Sequence, residues 1–474
     1  MLLNCTNTEI KLFEKVAFAA RKIGVPAYVV GGFVRDKILG RPTKDIDIVC
    51  VGDGIALANA VAKLFTPTAH IAIFKTYGTA QLKADGVELE FVGARKESYT
   101  PESRNPEVEP GTLEDDQLRR DFTINALAMS LNEENYGEVL DPFNGLKHLQ
   151  QKLLITPQEP DQTFSDDPLR MMRAIRFAAQ LQFTIEPYTF ASIKSNADRI
   201  SIISQERITT ELNKIMLSKK PSIGFDLLDK SDLLPKVFSQ VSDLKGVDRI
   251  GGQGHKDNFY HTLQVLDNVA QTSNDLWLRW AALLHDIAKP ATKSFEPGHG
   301  WTFHNHEHVG AKMVPRIFAK LGLPMGAEMR FVQKLVMLHL RPISLTKNEV
   351  TDSAVRRLLF DAAEDLEALL ILCNADVTSK DAKKVARIRE NFELVKSKLI
   401  DVEERDKIRN WEPPISGELI MSTFGIAPSK IVGDIKLAIR EAILDGKISN
   451  DYQQAYDMML ELGDGLGLKA VKQN

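Results

Sequence analysis

The stretch GGFVRDKILGRPTKDIDIV, residues 31–49, decides the fold. Just before it, AYVV (27–30) is a short apolar run suited to a buried strand. Gly31–Gly32 then marks a sharp turn into an amphipathic segment that runs to Gly40. DIDIVCV (45–51) alternates with period two, which predicts a strand. Asp45 and Asp47 therefore project from one face, with Ile46 and Ile48 turned to a core on the other. Two carboxylates held side by side repel each other unless a cation lies between them. Hard oxygen donors of this kind suit Mg²⁺ shared with a triphosphate. The plainer alternative is two surface aspartates on a solvent-facing strand. Gly31 and Gly32 fit a tight turn, or backbone N–H groups offered to phosphate oxygens, with Arg35 close behind.

Working outward, residues 1–26 read as an amphipathic helix with Ile10, Phe13, Val16, Ala17 and Ala20 at helical spacing, ended by Pro26. A helix over 54–65 and strands near 69–74, 79–83 and 87–92 extend the α/β pattern. Glu90, in VELEFV, is either a third carboxylate beside the aspartates or part of an exposed face. Residues 97–118 are rich in Pro, Glu and Asp without periodicity and read as a loop. Beyond about 150, strand signals fade and helical patterns run to the end. The expected fold is α+β, a mixed-sheet head followed by an all-α body. Boundaries are expected as 1–150, 151–235, 236–400 and 401–474.

The chain has 474 residues, more than one hydrophobic core usually serves. Its 43% hydrophobic and 26% charged residues exclude a disordered protein. No apolar run approaches the ~20 residues of a membrane helix, and the N-terminus lacks the pattern of a signal peptide. Cys5, Cys50 and Cys373 form no CxxC pair, which excludes a zinc ribbon or disulfide scaffold and suits a reducing, cytoplasmic setting. A net charge of −4 argues against non-specific coating of nucleic acid but leaves room for a local basic groove.

Two further segments carry charge in a pattern. In LRRDFTINALA (118–128), Arg119 and Arg120 offer guanidinium forks for phosphate or ribose oxygens, while Asp121 and Asn125 also fit the capped start of an apolar helix. In FSDDPLRMMRAIRFAAQLQF (164–183), Asp167 reads as an N-cap and Pro168 as the first helical residue. Arg170, Arg173 and Arg176 then form a row, by residue type a solvated face, with Leu169, Met172, Ile175 and Phe177 in the core. In ISQERITTELNKIM (203–216), Ser204, Glu206 and Arg207 read as a braced helix start.

Eight of the ten histidines fall between His255 and His339. The ordered set is His261, the pair His285–Asp286, His306, His339 and Asp376. Imidazole and carboxylate ligands on helices suit one divalent metal or two, of identity left open by the residue types. His304 and His308 flank the candidate ligand His306, either as solvent-side groups or as supports behind the ligands.

The block at 31–49 resembles the head motif of the nucleotidyltransferase superfamily, in the form found in bacterial-type CCA-adding tRNA nucleotidyltransferases and the related poly(A) polymerases. LRRDFTINALA, DPFNG (141–145), the 164–183 segment and ISQERITTELNKIM resemble the family's later motifs in order. The histidine set resembles an HD-type phosphohydrolase domain. Residues 411–450 are similar to the family's C-terminal helical element, with Ser429 where glycine is usual. The resemblance implies a nucleotidyltransferase-type head, a helical neck, an HD-type domain and a helical tail. It implies addition of CCA to tRNA 3′ ends from CTP and ATP, with Asp45 and Asp47 catalytic and holding Mg²⁺. Nucleotide binding falls to Gly31, Gly32, Arg35, Arg119, Arg120, Asp121, Asn125, Asp167, Arg170 and Arg173, with Asp167 and the first arginine reading the base. Two departures stand out: Asp166 replaces the usual Glu, and Glu102–Ser103–Arg104 departs from the usual acidic–Gly–Arg pattern. The rival readings are a poly(A) polymerase or partial CC- or A-adding enzyme, and a phosphohydrolase with an RNA-binding head.

Overall fold

The computed structural model describes residues 3–43, 45–65, 69–75, 78–84, 86–98, 107–250, 253–345, 351–378, 381–406 and 411–471. The chain forms two compact units, residues 1–242 and 243–474. Helix α1 (Asn7–Ile23) starts at a capping box in which Thr6 and Glu9 satisfy each other's backbone N–H groups. It ends at Gly24, in the left-handed region at φ 72°, and is shorter than the expected 1–26. Strand β1 (Ala27–Val30) leads through Gly31 into α2 (Gly32–Ile38), and β2 (Asp45–Cys50) returns antiparallel to β1. Helix α3 (Gly54–Ala62) crosses over to a meander of β3 (His70–Phe74), β4 (Thr79–Ala84) and β5 (Val87–Gly93).

The expected loop at 97–118 is more ordered than its composition suggests. Strands β6 (Arg95–Ser98) and β7 (Glu107–Pro110) pair antiparallel, and α4 (Leu113–Leu118) follows behind a Thr112–Asp115 capping box. The pairing sets Lys96 opposite Glu109 and carries almost no apolar alternation, so the pattern was invisible to hydropathy. Glu102, Ser103 and Arg104 lie outside the described residues. Strands β8 (Ala128–Ser130) and β9 (Val139–Leu140) complete a seven-stranded mixed sheet of order β3-β4-β5-β2-β1-β8-β9. Strand β2 is central, parallel to β5 and antiparallel to β1, with Asp47 in register with Val30 on one side and Glu90 on the other.

The rest of the first unit is mainly helical: α5 (Gly145–Gln151), α6 (Pro160–Asp166), α7 (Leu169–Leu181), α8 (Pro187–Ser195) and α9 (Gln205–Met216) lead onward, with one short parallel strand pair, Leu153–Leu154 with Thr184–Ile185, inside the expected all-helical neck. The expected boundaries at 150, 235 and 400 each fall inside a helix, because composition marks a change of periodicity and not a break in the chain. The second unit is built mainly of helices, among them Asn258–Thr272, Leu276–Leu284, His306–Leu321, Ala327–Leu338 and Leu366–Asp376. Two small hairpins, Arg249–Ile250 with Gln253–Gly254 and Ser294–Glu296 with Gly300–Thr302, interrupt the expected all-helical run. C-terminal helices Gly417–Phe424, Lys430–Leu444 and Tyr452–Gly465 close over Ile420, Ile435, Ile439 and Met459.

Candidate active site and histidine centre

Strand alternation buries Ile46 and Ile48 and turns Asp45 and Asp47 to the opposite face. Both aspartates line a cleft of about 520 Å³, together with all ten residues assigned to nucleotide binding. Burial pushes the Asp47 carboxyl up from its ordinary value, Asp45 and Asp116 add to that, and Arg120 opposes it. Glu90 sits beside Asp47 on the neighbouring strand. Its carboxyl is raised by burial, then by Asp47 and Glu88. Three acidic groups crowding one patch of sheet is the arrangement a cation relieves.

Gly31 turns with φ 73° and ψ −132°, a conformation that only glycine adopts readily. A Cβ there would meet Arg120 Nη1 at 2.8 Å. The residue thus clears a passage between the aspartates and the arginines.

Several of the arginines are held by acids that the sequence did not single out. Asp116, fully buried, takes Arg119 Nε at 3.0 Å and Arg120 Nη2 at 2.9 Å. Burial works against its charge, but Arg120 and Arg119 outweigh it and hold the carboxyl below its ordinary value. Arg35 is buried, donates to Asn125 Oδ1 at 2.6 Å and forks onto Asp36. Asp121 accepts from Asn125 Nδ2 at 2.9 Å and pairs with Arg173 at 2.5 Å. Burial opposes that charge, yet Arg173, Asn125 and Arg170 hold the carboxyl down at about 2. A hinted cap thus becomes a buried network running from α2 to α7.

The arginine row of α7 is not a solvated face. Arg170 is 7% exposed, and Arg176 is buried in an ion pair with Glu211 of α9 at 3.2 Å. Arg170 donates to Arg119 O at 2.7 Å and to Thr163 O at 3.4 Å. Asp167 closes α6 instead of standing directly before α7. Its Oδ1 still accepts from Leu169 N at 3.1 Å, and its Oδ2 lies 3.5 Å from Arg207. Ser204 stands at the N-cap of α9, but its side chain makes no capping bond there.

In the second unit, five helices bring the six expected ligands together. His261 Nε2 lies 2.9 Å from Asp376 Oδ1 and 3.5 Å from Asp286 Oδ2. His285 Nε2 is 3.2 Å from Asp286 Oδ2, and His306 Nε2 is 3.2 Å from Asp286 Oδ1. His306 and His339 approach Nε2 to Nε2 at 3.3 Å. Three rings are locked from behind. Nδ1 of His285, His306 and His339 donates to the carbonyls of Ala282, Phe303 and Val336 at 2.8, 2.7 and 2.6 Å. A carbonyl only accepts, so each Nδ1 carries a proton, and each Nε2 is left to face the centre, either protonated towards the carboxylates or offering its lone pair to a metal.

His285 Nε2 is wholly buried and has no hydrogen-bond partner. Among the described residues, two overlapping sets could each hold an ion: His261, His285 and Asp286, and Asp286, His306 and His339. Burial resists charge on His285, but Asp286 and Asp376 lift it to about 10; burial drops His339 to about 4. The buried carboxylates therefore demand a positive charge, which a proton or a divalent cation would satisfy. His304 and His308 have exposed side chains. Lys289, 2.6 Å from Asp286 Oδ2, and Lys256, 3.0 Å from His261 Nδ1, went unread in the sequence; HDIAKP offered spacing but no reason to prefer one lysine.

Residues 27–155 match the Poly A polymerase head domain, 182–244 the probable RNA and SrmB-binding site of polymerase A, and 258–381 the HD domain. The chain is 30% identical to the A-adding tRNA nucleotidyltransferase of Deinococcus radiodurans, over 89% of this chain and 92% of that one. It belongs to the tRNA nucleotidyltransferase family. The Multifunctional CCA protein of Nitrosococcus oceani is 31% identical to this family member over 74% of this chain and 84% of its own. The fold is shared with the Bacillus stearothermophilus CCA-adding enzyme solved with CTP, at TM-score 0.66 and 23% identity over 98% and 99% of the two chains.

Proposed function

We propose that the protein builds or repairs the 3′-terminal CCA of tRNA from CTP and ATP, without a nucleic-acid template. The observation that carries this is the single cleft in which Asp45 and Asp47 face Gly31, Arg120, Asp167 and Arg170. In the reaction the 3′-hydroxyl oxygen of the RNA forms a bond to the α-phosphorus. The α–β phosphoanhydride breaks, pyrophosphate leaves, and the hydroxyl proton passes to solvent. Asp45 and Asp47, with Glu90 beside them, would hold Mg²⁺. Bound there, the metal makes the hydroxyl more acidic and offsets triphosphate charge.

The rest falls to the chain's own side chains. Gly31 leaves room for phosphate against Arg120, while Asp116 keeps the Arg119 and Arg120 forks in place. Arg35, fixed by Asp36 and Asn125, braces the turn. Asp167 only accepts and Arg170 only donates, so together they suit the exocyclic amine and ring nitrogen of cytosine or adenine. Uracil and guanine would set a carbonyl oxygen against the carboxylate. The neck and tail would grip the tRNA body through its backbone and A-form shape. With its three free cysteines, we assign the protein to the cytoplasm.

The relative named A-adding supports a second reading, addition of A alone. Primers ending before, within and after CC, each given one NTP, separate the readings. Full addition puts C on the first two positions and A on the third. A-only addition extends just the CC-ended primer, and a poly(A) polymerase makes long A tails. For the histidine centre we propose a divalent-metal phosphohydrolase site, supported by the two buried ligand sets that share Asp286. Phosphate release from p-nitrophenyl phosphate, lost in His285→Ala, is the expected result. Retention of release in that variant would remove the assignment.

A further inference from the structure

Glu97 lies outside the nucleotide cleft, on β6, yet it is tied to it. Its side chain is 4% exposed and accepts from Arg95 Nε at 2.8 Å and from Arg119 Nη1 at 3.1 Å. Arg119 stands at the C-cap of α4 and acts in two directions. Its guanidinium is clamped between Glu97 and Asp116. Its carbonyl oxygen accepts from Arg170 Nη2 at 2.7 Å, a closer hold than the 3.4 Å from Arg170 Nη1 to Thr163 O. A continuous line of bonds therefore runs from the hairpin, through one residue, to the arginine assigned to the base.

We propose that Glu97 is a positioning residue for nucleobase selection: it fixes Arg119, whose carbonyl aims the Arg170 guanidinium. This rests on the reading of Arg170 as a base-contacting donor. Glu97 touches neither the nucleotide nor the carboxylate pair. When its charge is removed, Arg119 keeps the bond to Asp116 on its own helix but is held to the hairpin only by a weaker, neutral hydrogen bond. The end of α4 then has more freedom, and the Arg119 carbonyl shares it. A loosely aimed donor must be ordered anew each time a base binds, which weakens binding and selection more than the chemical step.

The test uses the full-length protein, a primer tRNA and each of the four NTPs, with Glu97→Gln, Arg95→Ala and Arg170→Ala compared. In Glu97→Gln, KM for CTP should rise and the preference for C over U fall by about fivefold, the scale of a weakened charge-assisted hydrogen bond, with kcat within about twofold. Arg95→Ala removes another partner of the same carboxylate and should keep the wild-type preference. Combining Glu97→Gln with Arg170→Ala should lower the preference no further than Arg170→Ala alone. If Glu97→Gln fails to fold, Arg119→Lys should give the same KM-weighted loss. A wild-type preference in Glu97→Gln with a reduced one in Arg170→Ala overturns the relay alone. An unchanged preference in Arg170→Ala overturns the base reading, and the relay with it.

Discussion

The two candidate metal centres are built on opposite plans. In the head, Asp45 is exposed and Asp47 half-buried, on one strand at the floor of an open cleft. Most of its arginines are already paired with acids of the protein. In the second unit the ligands lie on or at the ends of five helices, five of the six are buried, and three rings are locked by backbone carbonyls. The first plan suits an ion that arrives and leaves with a nucleotide. The second suits a resident ion whose loss would leave lone pairs and carboxylates unsatisfied.

That contrast breaks most sharply at the carboxylate pair. Asp47→Asn or Asp45→Asn should cut nucleotide addition on the order of 10³-fold, since metal charge stabilisation contributes several kcal/mol. Circular dichroism and p-nitrophenyl phosphate hydrolysis should be unchanged. Primer extension at the native rate by either variant would refute the head assignment.

Metal content gives the next largest effect. Protein purified without chelator should carry divalent metal at the histidine centre and none retained at the head. Chelation should destabilise the fold by about 3 kcal/mol, the linkage expected for a ligand roughly 100-fold above its Kd. Elemental analysis and denaturant unfolding read this out. His285→Ala should lose the metal and its stabilisation, whereas Asp45→Asn should keep both. Equal metal loss in the two variants would erase the distinction between the centres.

Asp121 sharpens the comparison, because it is a buried carboxylate of the head that answers to arginine and not to a metal. Its folded-state value lies near 2, below the ordinary 3.8. A depressed carboxylate contributes stability above its unfolded value and loses it as pH falls through the folded one. The contribution should therefore be complete above about pH 4 and gone below about pH 2, and is worth about 2 kcal/mol. Asp121→Asn should be less stable by that amount at neutral pH. The two urea-unfolding curves should converge across that acid window, with chelator having no influence on the gap.

How much of this was legible depends on the range of the interaction. Alternation in DIDIVCV set the sheet face of Asp45 and Asp47, because a strand's period is local. Apolar residues at helical spacing did the same for α1, though Gly24 ended the helix before Pro26 could. The partners of the arginines were not legible, since Asp36, Asp116, Glu97 and Glu211 carry no pattern that links them to the cleft. Arg170 and Arg176 read as solvated for the same reason: one helix shows its own charges and not the acids of α9 or the carbonyls of α4 and α6 that bury them. The pairing of 95–98 with 107–110 was hidden because charged and polar side chains dominate both strands and no apolar alternation marks them. In the histidine centre the ligands were readable from residue type, but the locking carbonyls belong to the backbone, which the sequence never distinguishes.

The smallest effect separates two adjacent glycines that look equivalent in sequence. At Gly31 a Cβ would meet Arg120 Nη1 at 2.8 Å, and the backbone is in a region where other residues are strained by about 1–3 kcal/mol. Gly31→Ala should therefore lose stability on that scale and weaken nucleotide binding through a displaced Arg120. At Gly32 the backbone is helical and the nearest atom to a Cβ is Arg35 Nη2, at 3.6 Å, ordinary contact. Gly32→Ala should thus stay within about 0.5 kcal/mol of the parent, as substitutions that create neither strain nor a clash usually do. KM for CTP and urea unfolding, measured on both variants, decide between two causes. If only Gly31→Ala weakens binding, the turn serves the cleft by clearing space for Arg120. If Gly32→Ala weakens it equally, the requirement lies in the N–H groups at the start of α2, and the head holds phosphate through its backbone more than through its arginines.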